Sequence, residues 1–178
     1  MNTWNRSWSR NRLIIIRIFY MNYRVDISVR PFKAADRRFL LSLVPRFTEF
    51  SLPTWRDPER TDTANKEHLE KALTAPDKDE EFLIAEDAQG TRLGFIRLQT
   101  SRDYFTGEET GYIADMAVSK EAEGKGAGAA LMAAAEEWSR QKGHRLLTLY
   151  TFSDNQRAIR FYEKSGFREE LKKYVKAL

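Results

Sequence analysis

The chain has 178 residues, of which 42% are hydrophobic, and this is enough for one domain with a sizeable core. It contains no cysteine, which excludes disulfide bonds, thiolate catalysis and cysteine-ligated zinc. The net charge is +4, but residues 1–24 contain five arginines and no acidic residue. Residues 25–178 hold 25 basic and 26 acidic residues, so the positive charge comes from the N-terminal segment. The body of the chain therefore lacks the cationic surface of a nucleic-acid-binding protein, and we expect no such partner.

The N-terminal segment 1–24 differs in composition from the rest of the chain. Its apolar stretch, 13–18, is interrupted by Arg17 and is too short for a membrane span or a signal peptide. An amphipathic anchor is the alternative to a plain extension. Because a strand pattern starts just after Met21, we expect residues 1–24 to lie outside a domain that spans 25–178. We expect a cytoplasmic protein without membrane contact, either a monomer or a homodimer.

The patterns of apolar residues predict a single mixed α/β domain. In chain order the predicted elements are a strand at 25–30, a helix at 39–47 that Pro45 bends or ends, a helix at 63–73, a hairpin of strands at 80–87 and 91–100, a strand at 110–118, a helix at 126–142, a strand at 145–152, a helix at 156–165 and a strand-like segment at 167–178. The segment 110–152 is a strand–helix–strand crossover.

A glycine-rich loop, GKGAG, opens the helix at 126–142. The first turn of a helix has unpaired N–H groups and a positive dipole end, and glycines let an anion approach them closely. A phosphate is the natural occupant, and Lys125 adds a positive charge. The loop alone leaves several interpretations open: a dinucleotide loop, which fits loosely, the diphosphate of coenzyme A, or a helix entry made only for packing. A Walker A loop is excluded because no Ser or Thr follows Lys125.

A second motif, SDNQRAIRFYEKSGF at 153–167, favours one of these interpretations of the glycine-rich loop, namely binding of the coenzyme A diphosphate. Together with the strand and the glycine loop before it, the pattern Asn-x-x-Ala-x-x-Phe-Tyr-x-x-x-Gly-Phe resembles the GNAT superfamily of acyl-CoA-dependent N-acetyltransferases. The resemblance covers 25–178 in element order and is most specific at 112–167. It implies a mostly antiparallel central sheet that splays between two parallel strands, with helices on both faces.

The resemblance also implies a function, namely transfer of an acetyl group from acetyl-CoA, a cosubstrate, to a primary amine. The amine attacks directly in a ternary complex, no covalent enzyme intermediate forms, and no metal takes part. The alternative is an inactive acyl-CoA-binding or sensing module. The implied coenzyme site consists of Met116, Val118, Gly124, Lys125, Gly126, Ala127, Gly128, Ala129, Asn155, Ala158, Phe161 and Tyr162. The family usually has Gln or Arg where this chain has Glu123, so we expect Glu123 to point to solvent or to pair with Lys125.

The reaction needs a proton acceptor for the amine and a proton donor for the leaving thiolate. The resemblance implies that Tyr162 is the donor and that the N–H of Met116 polarises the thioester carbonyl. Asp115 is the candidate base, with a buried structural anchor paired to an arginine as its alternative role. Glu108, Glu109 and a water-mediated route also remain open. We expect residues 47–55 and 102–109 to form the acceptor side; the acceptor is a small-molecule or peptide amine.

Overall fold

The structure is a computed structural model, and it describes residues 14–20 and 23–178, with side chains from residue 26 onward. Within these residues the chain forms six strands and four α-helices. Their bounds are β1 Ile14–Tyr20, β2 Tyr23–Pro31, α1 Arg37–Ser42, α2 Pro58–Thr74, β3 Glu81–Glu86, β4 Arg92–Arg102, β5 Glu109–Val118, α3 Ala127–Gln141, β6 Leu147–Leu149 and α4 Gln156–Lys164. None of the described helices has the length and hydrophobicity that a membrane span requires.

The six strands form one sheet in sequence order, from β1 to β6. Each pair of neighbours from β1 to β5 is antiparallel, whereas β5 and β6 run parallel and are joined through α3. This confirms the predicted mixed α/β fold, a mostly antiparallel sheet with one strand–helix–strand crossover.

The sheet buries a hydrophobic core on each face, because side chains alternate along a strand. On β3, Leu83 and Ala85 belong to the core formed with α3 and α4, whereas Phe82 and Ile84 belong to the core formed with α1 and α2. The apolar stripe of α3 is centred on Leu131, which is fully buried and stabilises the fold by about 2 kcal/mol. The helices therefore lie on both faces, as expected.

Local signals explain where the first two helices begin and end. The helix α1 ends at Ser42, and Pro45 lies in the 3-10 turn Val44–Phe47, so the predicted break is confirmed. The helix α2 starts at Pro58, earlier than predicted. There the Asp57 carboxylate accepts a hydrogen bond from the Arg60 N–H at 2.7 Å, and proline suits the first helical position.

The sequence analysis places residues 1–24 outside the domain, and the structure differs for Ile14–Tyr20. This segment is β1, which pairs with β2 from Ile14↔Val29 to Tyr20↔Tyr23. Its run of β-branched and aromatic residues suits a strand, and β2 offers it a free edge. Residues 1–13 and 21–22 lie outside the described residues. Whether the domain needs β1 stays a prediction.

The strand-like segment predicted at 167–178 is wrong. Residues 165–178 form neither helix nor strand. A strand here needs a neighbour, and β6 offers an edge of only three residues. The apolar side chains Leu171, Tyr174 and Leu178 are exposed instead, and the Lys172 ammonium pairs locally with Glu169 at 3.1 Å.

Candidate active site

The parallel strands β5 and β6 pair only at one end. Their ladder runs from Gly111↔Leu147 to Ile113↔Leu149. Beyond Ile113, β5 continues to Val118 along β4, whereas the chain leaves the sheet after Leu149. A V-shaped gap therefore opens between the two strands, and one of its walls is the second half of β5.

A β-bulge marks the point where the gap begins. Arg97 pairs with Asp115 and Leu98 with Ile113, so Ala114 has no partner on β4. A bulge bends its strand and changes which face the following side chains occupy. Ile113 accordingly packs in the α3 core together with Met116, whereas Asp115 faces the other side of the sheet. Simple alternation, which places Ile113 and Asp115 on one face, is wrong at this position.

The backbone of β5 presents free hydrogen-bonding groups to the gap. The Ser119 N–H donates to the Leu93 carbonyl on β4 at 2.8 Å. Because the N–H and C=O groups of a strand alternate in direction, those of Val118 and Met116 point away from β4 and into the gap. The Val118 carbonyl already accepts a hydrogen bond from Arg46 Nε at 3.1 Å. Among the residues that the structure describes, the N–H groups of Met116 and Val118 and the Met116 carbonyl have no strand partner on that side.

The glycine loop leads directly from the open end of the gap into α3. Gly126, the N-cap of α3, has a φ of 92°, and Gly124 has a φ of 70°. Residues other than glycine are strained in this conformation by about 1–3 kcal/mol. The first closed turn is the bond from the Ala130 N–H to the Gly126 carbonyl, so the N–H groups of 127–129 lie ahead of it and are available to an anion. Lys125 is exposed beside them.

Three of the expected site residues meet where α3, α4 and β5 come together. A Cβ atom added to Gly128 would lie 3.3 Å from the Phe161 ring and 3.5 Å from the Met116 methyl group. Glycine at 128 therefore lets the Phe161 ring of α4 and the Met116 side chain of β5 pack closely against the first turn of α3. The tertiary structure thus brings the glycine loop, β5 and the second motif next to one another.

The neighbouring residue on α4, Tyr162, packs in the same cluster. Its ring centroid lies 5.5 Å from that of Phe161 and 5.9 Å from that of Phe167. Its hydroxyl group forms no hydrogen bond with any residue that the structure describes, and burial raises its pKa above the usual value near 10. The phenol is therefore protonated at neutral pH and has a proton to donate.

Asn155 has the local role that its position before α4 predicts. Its Oδ1 accepts a hydrogen bond from the Ala158 N–H at 3.1 Å, which caps the helix. This leaves the Nδ2 group available for a further hydrogen bond. A contact from that group to a coenzyme stays a prediction.

The expected pairing of Glu123 with Lys125 is wrong, because the carboxylate pairs with two arginines, although 34% of its side-chain surface is exposed to solvent as the alternative expectation has it. Its Oε1 contacts Arg157 Nη2 of α4 at 2.8 Å and also contacts Arg46 of the Val44–Phe47 turn. Partial burial raises the pKa of Glu123, but these two arginines outweigh that effect and hold the pKa below its usual value. Because Glu123 stands where the family has Gln or Arg, the sequence indicates that a cation lies nearby, but it does not identify that cation.

The candidate base Asp115 belongs to a polar network on the α1 and α2 face of the sheet. Its Oδ2 accepts a hydrogen bond from Arg97 Nη1 at 3.0 Å, and Arg97 also pairs with the buried Glu80. Gln99 donates to Glu80 at 3.1 Å. Burial raises the pKa of Asp115 above its usual value, although the hydrogen bond from Arg97 acts in the opposite direction. Asp115 thus has the arginine partner that its alternative role as a structural anchor requires. Its side chain nevertheless keeps 23% of its surface exposed.

A cavity of about 280 Å³ lies next to this network, and the sequence analysis missed it. It is lined by Asp77, Asp79, Glu80, Gln99, Thr100, Ser101 and Tyr112. A cavity of about 420 Å³ follows the surface of α2 and shares no residue with the gap.

The expected acceptor segments differ in how they are placed. Phe50 packs on Phe152, the residue that follows β6 beyond the gap, with a ring separation of 5.4 Å, and the Arg56 guanidinium lies 5.9 Å from the same Phe152 ring. In the other segment Tyr104 is 91% exposed. Glu108 and Glu109 are exposed and pair with arginines at 3.5 Å and 3.7 Å. Only the first segment contacts a residue next to the gap.

Comparison with known proteins identifies the class of protein that has this site. The family model described as the acetyltransferase (GNAT) family matches residues 44–167. An uncharacterised N-acetyltransferase of Bacillus subtilis, YhfO, is 28% identical over 144 residues, which is 81% of this chain and 91% of that protein. The mycothiol acetyltransferase of an Arthrobacter species is 34% identical over 86 residues, but these are 48% of this chain and only 27% of that protein.

Among solved structures, the aminoglycoside N-acetyltransferase AAC(6′)-Iy in complex with CoA aligns with a TM-score of 0.65 and 19% identity. The alignment covers 89% of this chain and 99% of that one. At this level of identity the agreement concerns the fold. The family match, which includes both the glycine loop and the second motif, shows that the chain belongs to the acetyltransferase (GNAT) family.

Proposed function

We propose that this protein is an N-acetyltransferase that moves the acetyl group of acetyl-CoA to a primary amine by direct attack. The observation that carries the proposal is that the N–H groups at the start of α3 and the Met116 segment of β5 lie next to each other at Gly128, beside Phe161 of α4. This arrangement suits a ligand with an anionic end and a long, amide-containing arm. The solved relative AAC(6′)-Iy is in complex with CoA.

The residues present fit such a cosubstrate. The N–H groups of 127–129 would hold its diphosphate, with Lys125 close by. The Val118 N–H and the Met116 carbonyl would pair with the amides of the pantetheine arm, which leaves the Met116 N–H for the thioester. When bound, acetyl-CoA supplies an activated thioester, so the protein needs no nucleophile of its own, which is consistent with the lack of cysteine.

Three groups of the chain carry the chemistry in this proposal. The Met116 N–H donates a hydrogen bond to the thioester carbonyl oxygen as negative charge develops there. Asp115 accepts a proton from the amine, directly or through water, as the C–N bond forms. Tyr162 donates its proton to the sulfur as the C–S bond breaks, and it is reprotonated from solvent. Burial raises the pKa of the Asp115 carboxyl, which makes it a stronger base, and it raises the pKa of the Tyr162 phenol, which keeps the phenol protonated at neutral pH.

A panel of amines tests this function. Purified protein is incubated with acetyl-CoA and each amine, and the released thiol and the acetylated product are measured. We expect thiol release that depends on the amine and an equal amount of acetylated product. CoA binding without acetyl transfer to any amine would contradict the enzyme and favour the second candidate.

That second candidate, an acyl-CoA-binding module without chemistry, is favoured by one observation. The Asp115 carboxylate is engaged by Arg97 rather than free. If that ion pair persists in the ternary complex, the base is lost, and the coenzyme site serves binding alone.

A further inference from the structure

Glu123, Arg46 and Arg157 form an ion-paired cluster at the entrance to α3. Glu123 directly precedes Gly124 of the glycine loop. Its Oε1 is 2.8 Å from Arg157 Nη2 and also contacts Arg46. The three residues come from three separate parts of the chain, so the cluster joins α4 and the Val44–Phe47 turn to the loop.

The two arginines are held very differently. The Arg46 side chain is only 11% exposed, donates to the Val118 carbonyl at 3.1 Å and pairs with Glu49 as well as Glu123. The Arg157 side chain is 61% exposed, and Glu123 is its only ion-pair partner among the described residues. An exposed single ion pair contributes little free energy, whereas a buried arginine with three acceptors is fixed. Arg157 is therefore the partner that can leave.

The diphosphate and the 3′-phosphate of CoA each carry more negative charge than one carboxylate, and a phosphate accepts two parallel hydrogen bonds from a guanidinium as a carboxylate does. We propose that Arg157 is a phosphate-binding residue whose guanidinium moves from Glu123 to a phosphate of CoA when CoA binds. Arg46 stays on Glu123 and keeps that carboxylate neutralised beside the bound phosphate. The inference rests on the proposed function, because it needs CoA at the glycine loop.

Calorimetric titration of the full chain with CoA and with dephospho-CoA tests the inference. Arg157→Gln is compared with Arg160→Gln, a matched control that removes the same charge from an exposed position of the same helix, three residues further on. We expect Arg157→Gln to weaken CoA binding about fivefold and Arg160→Gln to change it less than twofold. A loss seen with both ligands assigns the contact to the diphosphate, and a loss seen with CoA alone assigns it to the 3′-phosphate.

A second pair of variants separates phosphate binding from mere neutralisation of Glu123. Glu123→Gln removes the competing carboxylate, so CoA should bind about two- to threefold more tightly. In that background Arg157→Gln should still weaken binding about fivefold or more. If its effect disappears there, or if Arg157→Gln and Arg160→Gln are equal in the natural background, the inference is overturned while the proposed function stands. Absence of CoA binding to the unaltered protein would overturn both.

Discussion

The substitution Tyr162→Phe tests the mechanism most directly, because it removes one oxygen atom and keeps the ring. The ring contacts with Phe161 and Phe167, at 5.5 Å and 5.9 Å between centroids, depend on shape and not on the hydroxyl group. The variant should therefore pack as the natural protein does. Any change in rate then reports on the proton that the hydroxyl group donates.

The structure predicts a small effect of Tyr162→Phe on stability and a large effect on the rate. The hydroxyl forms no hydrogen bond with any described residue, so its removal should change the free energy of unfolding by less than about 1 kcal/mol. General acid catalysis typically supplies about 10²- to 10⁴-fold in rate, which corresponds to about 2.7 to 5.4 kcal/mol of activation free energy. We expect the turnover number to fall by such a factor while the melting temperature and the Kd for CoA hardly change.

The assay measures thiol release at saturating acetyl-CoA and amine, together with thermal melting and calorimetric CoA binding. Tyr174→Phe is the matched control, since Tyr174 is 88% exposed and lies outside the site. Because burial raises the pKa of Tyr162, the natural enzyme should keep its rate up to about pH 10, and loss of the phenol proton should reduce it only above that value. Unimpaired turnover of Tyr162→Phe with a good acceptor would remove Tyr162 from the mechanism.

Four further outcomes are expected. Gly128→Val crowds the Phe161 ring and places a bulky side chain beside the N–H groups at the start of α3, so calorimetry should show CoA binding at least tenfold weaker in a folded protein, and unchanged affinity would contradict the assigned site. Burial raises the pKa of Asp36, but hydrogen bonds from Arg30, Arg92 and the Lys33 N–H outweigh it and lower the pKa from 3.8 to about 2. Since a lowered pKa stabilises the fold above pH 4, urea unfolding should show a loss of about 2 kcal/mol as the pH falls from 4 to 2, absent in Asp36→Asn. Asp115→Asn should lower the turnover number at least tenfold at unchanged CoA affinity, whereas a near-normal rate would favour the water route. A shortened chain that begins at Met21 lacks β1 but keeps the pairing of β2 with β3, so it should fold and retain most turnover, and loss of most activity would show that the domain needs β1.

The parts of the fold that the sequence predicted carry short-range signals. The hairpin of β3 and β4 follows from two apolar runs on either side of the turn Ala88–Gly90, and α3 follows from a glycine entry and an alanine-rich apolar stripe. The two motifs that indicate the family are also local, since each lies within about fifteen consecutive residues. The tertiary structure brings the two motifs together where the Phe161 ring lies beside Gly128.

The last strand shows the limit of such signals. The sequence predicts a strand-like segment at 167–178, but a strand also needs a partner, and β6 is too short to provide one. By contrast, residues Ile14–Tyr20 form a strand because they pair with the edge of β2. Whether a segment becomes a strand is decided by the edge that it meets, which lies elsewhere in the chain.

The sequence by itself determined the family, the glycine-rich loop and the candidate residues, because each of these depends on residues that are close together in the chain. Only the tertiary structure decided how their charges are balanced. Glu123 is paired with Arg46 and Arg157, which are 77 and 34 residues away, and Asp115 is held by Arg97 across the sheet at a bulge that shifts the alternation. The physical reason is that an ion pair depends on distances of a few ångströms in space, and separation along the chain does not fix those distances.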